Sequence, residues 1–494
     1  MPTPQADGRA GIQAPCVRLG ESMTPGQASL FDSLLSLADD TPDLPYTPKS
    51  PESSVVGDPS AGEHIAGTQR SAGSGSYSRA EHTVNRLEDI EDIDGDDPEY
   101  LLEALLNDLV LDREVESNLL PFVAQSFMAW MNRFMFEPIR AISLARDMII
   151  RGHSGNEARR NMILVANAAL AVSESTFYEF THFTALYKHL VKHVLEARAC
   201  SELTKEAAIK VLGSCHELIS LTCKVGSLAS VLNLMDLYAP IFRRACPESD
   251  GLVNLPRRLA AVEVNLKYFV SFDVLLSVIT HRPMLFRYGF DFLSPQDEEL
   301  LNEDDEPGMR WSIGIPARLV VVLAKMNILL ESYGNCVDQE TLRDLKEEVG
   351  SCKSVISSSP GDDPTLTVGK LMVQESWKLA GYVYFYMGLC GANSDDARVV
   401  KVQKRFMGLL ETVKPRRNPD LFLVLPILIM GVATSSSADR FTLLARLWGV
   451  SECSKPGTMG NDVIRMLNDI WAHTVEKPAV WLDLRTTCLR VVGM

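Results

Sequence analysis

A chain of 494 residues with 46% apolar side chains is long enough for one large domain or several ordinary ones, and it can bury a sizeable core. Its formal charge of −16 argues against a general nucleic-acid binder, whose footprint is a basic stripe. The opening "MPTPQADGRAGIQAP" has no basic segment leading into an apolar one, so no secretory signal is expected, and the ten cysteines are expected as reduced thiols.

Residues 1–95 are dense in Pro, Gly and Ser, as in "TPDLPYTPKSPESSVVGDPS" and "SAGSGSYS", and bury too little to offset the entropy of ordering. They are expected to be disordered. Within them "SLFDSLLSLADD", Ser29 to Asp40, sets Leu30, Phe31, Leu34, Leu35 and Leu37 among three acids. It reads equally as a short helix for a partner's groove, in the manner of acidic activation segments, or as an apolar turn docking on its own domain. Thr41-Pro42, Thr47-Pro48 and Ser50-Pro51 suit proline-directed phosphorylation.

Residues 96–494 are predicted to be one helical domain. In "LPFVAQSFMAWMNRFMFEPIR" (120–140), Val123, Phe127, Trp130, Met131 and Phe134 share one face of a 3.6-residue period, with Gln125, Ser126, Asn132 and Arg133 opposite. That pattern makes the aromatics a core face and needs no cofactor. Pro138 ends the helix and separates a second, about 139–152. Further helices are expected at about 156–173, 176–200, 203–224, 227–246 and 257–280. After an acidic connector follow 312–333, 339–357, 366–391, 395–413, 420–434, 438–449 and 460–475. Thr176-x-x-Glu179 reads as a capping box, and Ser294-Pro295 with Asp297 and Glu298 as an N-cap with an acidic first turn. "LFLVLPILIMGVA" (421–433) is too short to span a bilayer and reads as a buried helix kinked at Pro426. The fold class is all-α, an extended superhelical array of antiparallel helices.

Three stretches carry chemistry worth weighing. His182, His189, His193 and Cys200 fall on one helical stripe, and a His pair at i, i+4 can chelate zinc. The apolar face is centred about a third of a turn away, no Glu follows His189, and a solvated or interface stripe is expected. "NDIWAHTVE" (468–476) has the spacing of the magnesium-binding motif of terpene synthases, with Ala472 where Ser belongs and no aspartate-rich partner helix upstream. "KPRRNP" (414–419) reads as a basic helix C-terminus. No phosphate-binding, dinucleotide-binding or nucleophile-elbow motif is present. We therefore assign no catalytic, cofactor-binding or metal residue, no cofactor and no membrane association, and the chain is not expected to be an enzyme.

Four stretches in order, 111–149, 271–292, 374–434 and 460–484, together resemble the fungal-specific transcription factor domain. This is the helical regulatory region of fungal zinc-cluster regulators, here in its basidiomycete form. The resemblance spans about 96–494, and only His281 in "THRP" departs from it, where a small residue is expected. It implies a nuclear regulator of transcription whose partners are the transcription machinery or a DNA-binding regulator, with dimerisation, with itself or with another chain, left open. Such proteins usually place a Zn₂Cys₆ cluster, C-x₂-C-x₆-C…C-x₂-C, ahead of this domain. Before residue 200 this sequence holds only Cys16, so zinc and direct DNA contact are not carried over. The alternative readings are a helical scaffold without a transcriptional role and, more remotely, a terpene-synthase-like enzyme.

Overall fold

A computed structural model describes residues 118–142, 149, 155–175, 180–248, 251–261, 263–291, 301, 309–355 and 364–494. All lie in the unit Leu109–Met494. The expectations for residues 1–95, for the Thr176 capping box and for the Ser294 N-cap fall outside the described residues.

The described chain is all-α. It opens with α1 (Leu119–Phe134), α2 (Asn156–Glu174), α3 (Thr181–Ala199), α4 (Lys205–Leu212), α5 (Cys215–Val225) and α6 (Leu228–Ala245). Next come α7 (Val264–Thr280), α8 (Ala317–Tyr333), α9 (Gln339–Ser351) and α10 (Pro364–Val383). The last are α11 (Ala397–Glu411), α12 (Val424–Val432), α13 (Ser437–Trp448), α14 (Met459–His473) and α15 (Trp481–Val491). Two dipeptide strands, β1 (Val253–Asn254) and β2 (Tyr288–Gly289), pair in parallel across a loop closure. No described helix is long and apolar enough to cross a membrane.

Starts follow from side chains that accept the orphan N–H groups of a first turn. Thr204, Ser227, Asp338, Ser436 and Thr458 each accept from the backbone three residues on. Gly213 and Ser214 divide the predicted 203–224 helix into α4 and α5. The predicted 257–280 helix is also divided, because Asn254 caps a short turn, Leu255–Ala260, before α7 begins. In α12, Pro426 sits in the first turn, where a missing N–H goes unnoticed; the break expected there falls earlier, in the 3₁₀ turn Leu421–Leu423.

One apolar core runs from Phe134 to Cys488. Its centre is α7, buried on every side from Leu266 to Thr280, as its near-continuous apolar sequence requires. The opening helix departs from the one-sided reading. Gln125 and Ser126, placed on its polar face, are buried, while Phe127 and Trp130 are only partly so. Ser126 donates to the Phe122 carbonyl at 2.8 Å, which lets it sit inside. Beyond α1, Phe136 and Glu137 donate to the carbonyls of Ser312 and Trp311. Phe136 meets Phe422 edge-on at 5.3 Å. At Gly314, φ 77°, a Cβ would run into Val373 and crowd the Phe136 ring.

Candidate functional site

The histidine stripe is an internal seam. His189 Nε2 lies 2.6 Å from Asn161 Oδ1, and His193 Nδ1 is 3.1 Å from Glu157 Oε1, so both imidazoles bind α3 to α2. Burial, then the neighbouring His193, lowers the His189 pKa, which favours the neutral ring that this bond can use. His182 and Cys200 are exposed at the far ends. No group of three His, Cys, Asp or Glu suited to a metal exists among the described residues.

The "NDIWAHTVE" carboxylate has a structural partner too. Asp469 accepts from Thr487 Oγ1 at 2.7 Å and from Arg490 Nε at 2.9 Å, both on α15, while Asn468 and Glu476 face solvent. Asp469→Ala should therefore loosen the C-terminal helix. Amide exchange in 481–491 should accelerate while exchange in α7 stays as in the wild type; unchanged α15 protection would refute this anchoring role.

"KPRRNP" sends Arg417 inward rather than outward. Arg417 donates to Glu452 Oε1 at 2.8 Å and to the Arg133 carbonyl at 2.7 Å. Arg133 approaches the same carboxylate at 3.7 Å. The cations of Arg133, Lys224 and Arg417 stand 5.7, 5.1 and 5.2 Å from the Phe134 ring centroid. Burial alone would raise the Glu452 pKa, but the charges of Arg417, Arg133 and Lys224 outweigh it and bring it down to about 2. The sign follows: a carboxyl lowered on folding stabilises above its unfolded pKa of 4.5, and that stability drains away as pH falls toward 2. Glu452→Gln should flatten this acid limb in urea titrations; an acid limb as steep as the wild type's would exclude Glu452 as its source.

A second junction gathers three of the stretches that carried the resemblance. From α7, Asp273 accepts the Leu285 amide at 2.7 Å, the Phe286 amide at 3.3 Å and the Tyr288 hydroxyl at 2.6 Å. It thereby folds the loop 281–291 back onto its own helix. The fold-back begins at His281, which caps α7 in the left-handed conformation at φ 49°, the geometry that makes a small residue the expected one there. After α10 the chain widens into a π turn, Tyr384–Leu389. Tyr384 donates to Asn327 Oδ1 at 2.6 Å, and Asn327 donates to the Val274 carbonyl at 3.2 Å. The Tyr384 and Trp481 rings lie 5.0 Å apart. Ser394 and Ala479 exchange hydrogen bonds at 2.9 and 3.0 Å and fix the approach to α15.

Perturbed carboxyls in a cleft often mark catalytic sites. Here Asp273, Glu452 and Asp469 bind backbone amides, hydroxyls or guanidinium groups that hold helices and loops in place. Beside Asp273 a cavity of about 30 Å³, lined by Leu232, Asp236, Ser277, Thr280 and Leu285, takes a water or two rather than a metabolite. The arrangement is that of a helical scaffold fastened by buried polar clasps.

Comparison with known proteins places the chain. Residues 256–484 match the fungal specific transcription factor domain, a family of transcription regulators. The match takes in the loop clasp at Asp273, the π turn and the first residues of α15 through Leu484, and leaves out the stretch 111–149. No curated protein and no solved structure matches the chain.

Proposed function

We propose that the chain is a nuclear transcription regulator that acts through its helical domain and reaches promoters by way of a partner's DNA-binding domain. The family match over 256–484 carries this reading. The net charge of −16, and a basic cluster whose Arg417 is engaged inside the fold, support contact with DNA through another protein. Fluorescent tagging of the full chain should place it in the nucleus, and chromatin immunoprecipitation should recover promoters. Fusion to an unrelated DNA-binding domain should change expression of a tethered reporter. A purely cytoplasmic protein that leaves the reporter unmoved would sink the proposal and favour the scaffold reading. Mapping the 5′ end of the transcript separates the two routes to DNA: an in-frame six-cysteine cluster upstream would make contact direct.

A further inference from the structure

Helix α13 packs Leu443, Arg446 and Leu447 into the core and ties its other charged side chains to its neighbours. Asp439 accepts from Gln403 at 2.9 Å. Arg440 donates to the Thr434 carbonyl at 2.9 Å and lies 5.3 Å from the Trp471 ring centroid. Arg446 is buried against Asp420. What remains outside is Ala438, Phe441, Ala445 and Trp448, spaced 3, 4 and 3 as in the seam of a helix pair. Phe441 is 74% exposed and Trp448 49%, on a helix tied down on its other face.

We propose that this stripe is a self-association surface, on which α13 of one copy packs antiparallel against α13 of a second. The order of residues carries the inference. Phe441 and Ala445 lie two positions either side of Leu443, and Ala438 and Trp448 five positions either side. A two-fold axis crossing the seam between Phe441 and Ala445 sets Phe441 over the partner's Ala445 and Trp448 over the partner's Ala438, each large ring on a small residue, as an isologous contact demands. Charge decides between occupants. The acidic segment Ser29–Asp40 would bring carboxylates to a helix whose two arginines are already engaged inside. A second α13 brings none to the seam.

Area sets the strength. Wholly covered aromatic side chains bury about 150–250 Å² each, so these two leave about 250 Å² for a partner, against about 800 Å² per side in a standard interface. The dimer is weak and reversible. Because each copy carries a charge of −16, added salt should tighten it by screening repulsion, whereas a dimer held by ion pairs would loosen.

Sedimentation velocity on the full chain, from micromolar to submillimolar concentration, tests this. The wild type should dimerise, and Phe441→Ala should weaken the dimer by about thirtyfold, the size of an aromatic hot-spot truncation. Ala445→Phe, which sets ring against ring, should weaken it as well. Combining Phe441→Ala with Ala445→Phe restores ring on alanine and should recover the dimer. All three variants should melt with the wild type, because both positions face solvent. A monomer at every concentration, a dimer unmoved by both single changes, or a double variant no better than the singles would overturn the proposal. So would a monomer in which Phe441→Ala exposes Ser29–Asp40 to protease, since the stripe would then be covered by its own chain.

Discussion

Arg446→Met should lower the stability of the helical domain by about 3–5 kcal/mol, seen as a lower urea midpoint at an unchanged m-value. Arg446 is 4% exposed on the inner face of α13. It meets Asp420 at 2.8 Å and donates to the carbonyls of Leu410 and Val413, at the C-terminal end of α11. One side chain thus satisfies the end of one helix, pairs the turn ahead of α12 and fastens α13. Removing it strands a carboxylate of Asp420 inside the protein, and an uncompensated buried charge costs more than the pair was worth. Burial already outweighs the Arg446 charge and holds the Asp420 carboxyl up at about 6. The same logic makes a second result decisive. Adding Asp420→Leu to Arg446→Met removes the stranded charge and should return much of the loss. If the double variant is as weak as the single one, the carbonyl bonds to α11, not the ion pair, hold this corner together.

Much of the architecture was legible because burial leaves a periodic trace. The spacing of apolar residues located α2, α6 and α14 nearly to the residue, since each buries one face and shows the other, whereas the helix expected at 312–333 begins only at Ala317, after a separate short helix Met309–Ile313. Where a segment is buried on all sides that trace vanishes. In α1, Ser126 is inside because its hydroxyl bonds back to its own helix, which composition does not announce. The terminal helix α15 went unread because only Trp481, Leu484 and Cys488 mark its inner face, and Leu482 and Leu489 are exposed among them. The resemblance expects a small residue at the turn after α7, and the chain takes the left-handed conformation there although His281 occupies the position. The π turn was not foreshadowed, because Tyr384 and Trp481 are distant in sequence and meet only when α15 docks. The polar hubs were illegible for the same reason. Glu452 gathers Arg133, Lys224 and Arg417 from far along the chain, and His189, His193 and Asp469 each reach a neighbouring helix that their spacing does not reveal.

Asp273→Ala should cost about 3 kcal/mol, because it takes the acceptor from two amides and from the Tyr288 hydroxyl at once. The loss should be local at first. Amide exchange should speed up in 281–291 and at the β1–β2 pair, which depends on Tyr288 being held, before α7 itself opens. Asp273→Asn separates hydrogen bonding from charge, since it keeps one acceptor oxygen and cannot ionise. Burial, opposed by the three donors, raises the Asp273 pKa from 3.8 to about 6. A carboxyl raised on folding stabilises most below its unfolded pKa, and that contribution is lost as pH climbs from about 4 to about 6. His216, lowered to about 4 by burial, acts in the opposite direction over much of that window, so the wild-type curve alone does not isolate Asp273. The difference curve does. Between pH 4 and 6 the asparagine variant should gain on the wild type with the slope of one proton, and above pH 6 the difference should be flat. A difference that is flat throughout would mean that Asp273 ionises in the fold as freely as in the unfolded chain. The loop would then be held by its neutral contacts and the strand pair alone.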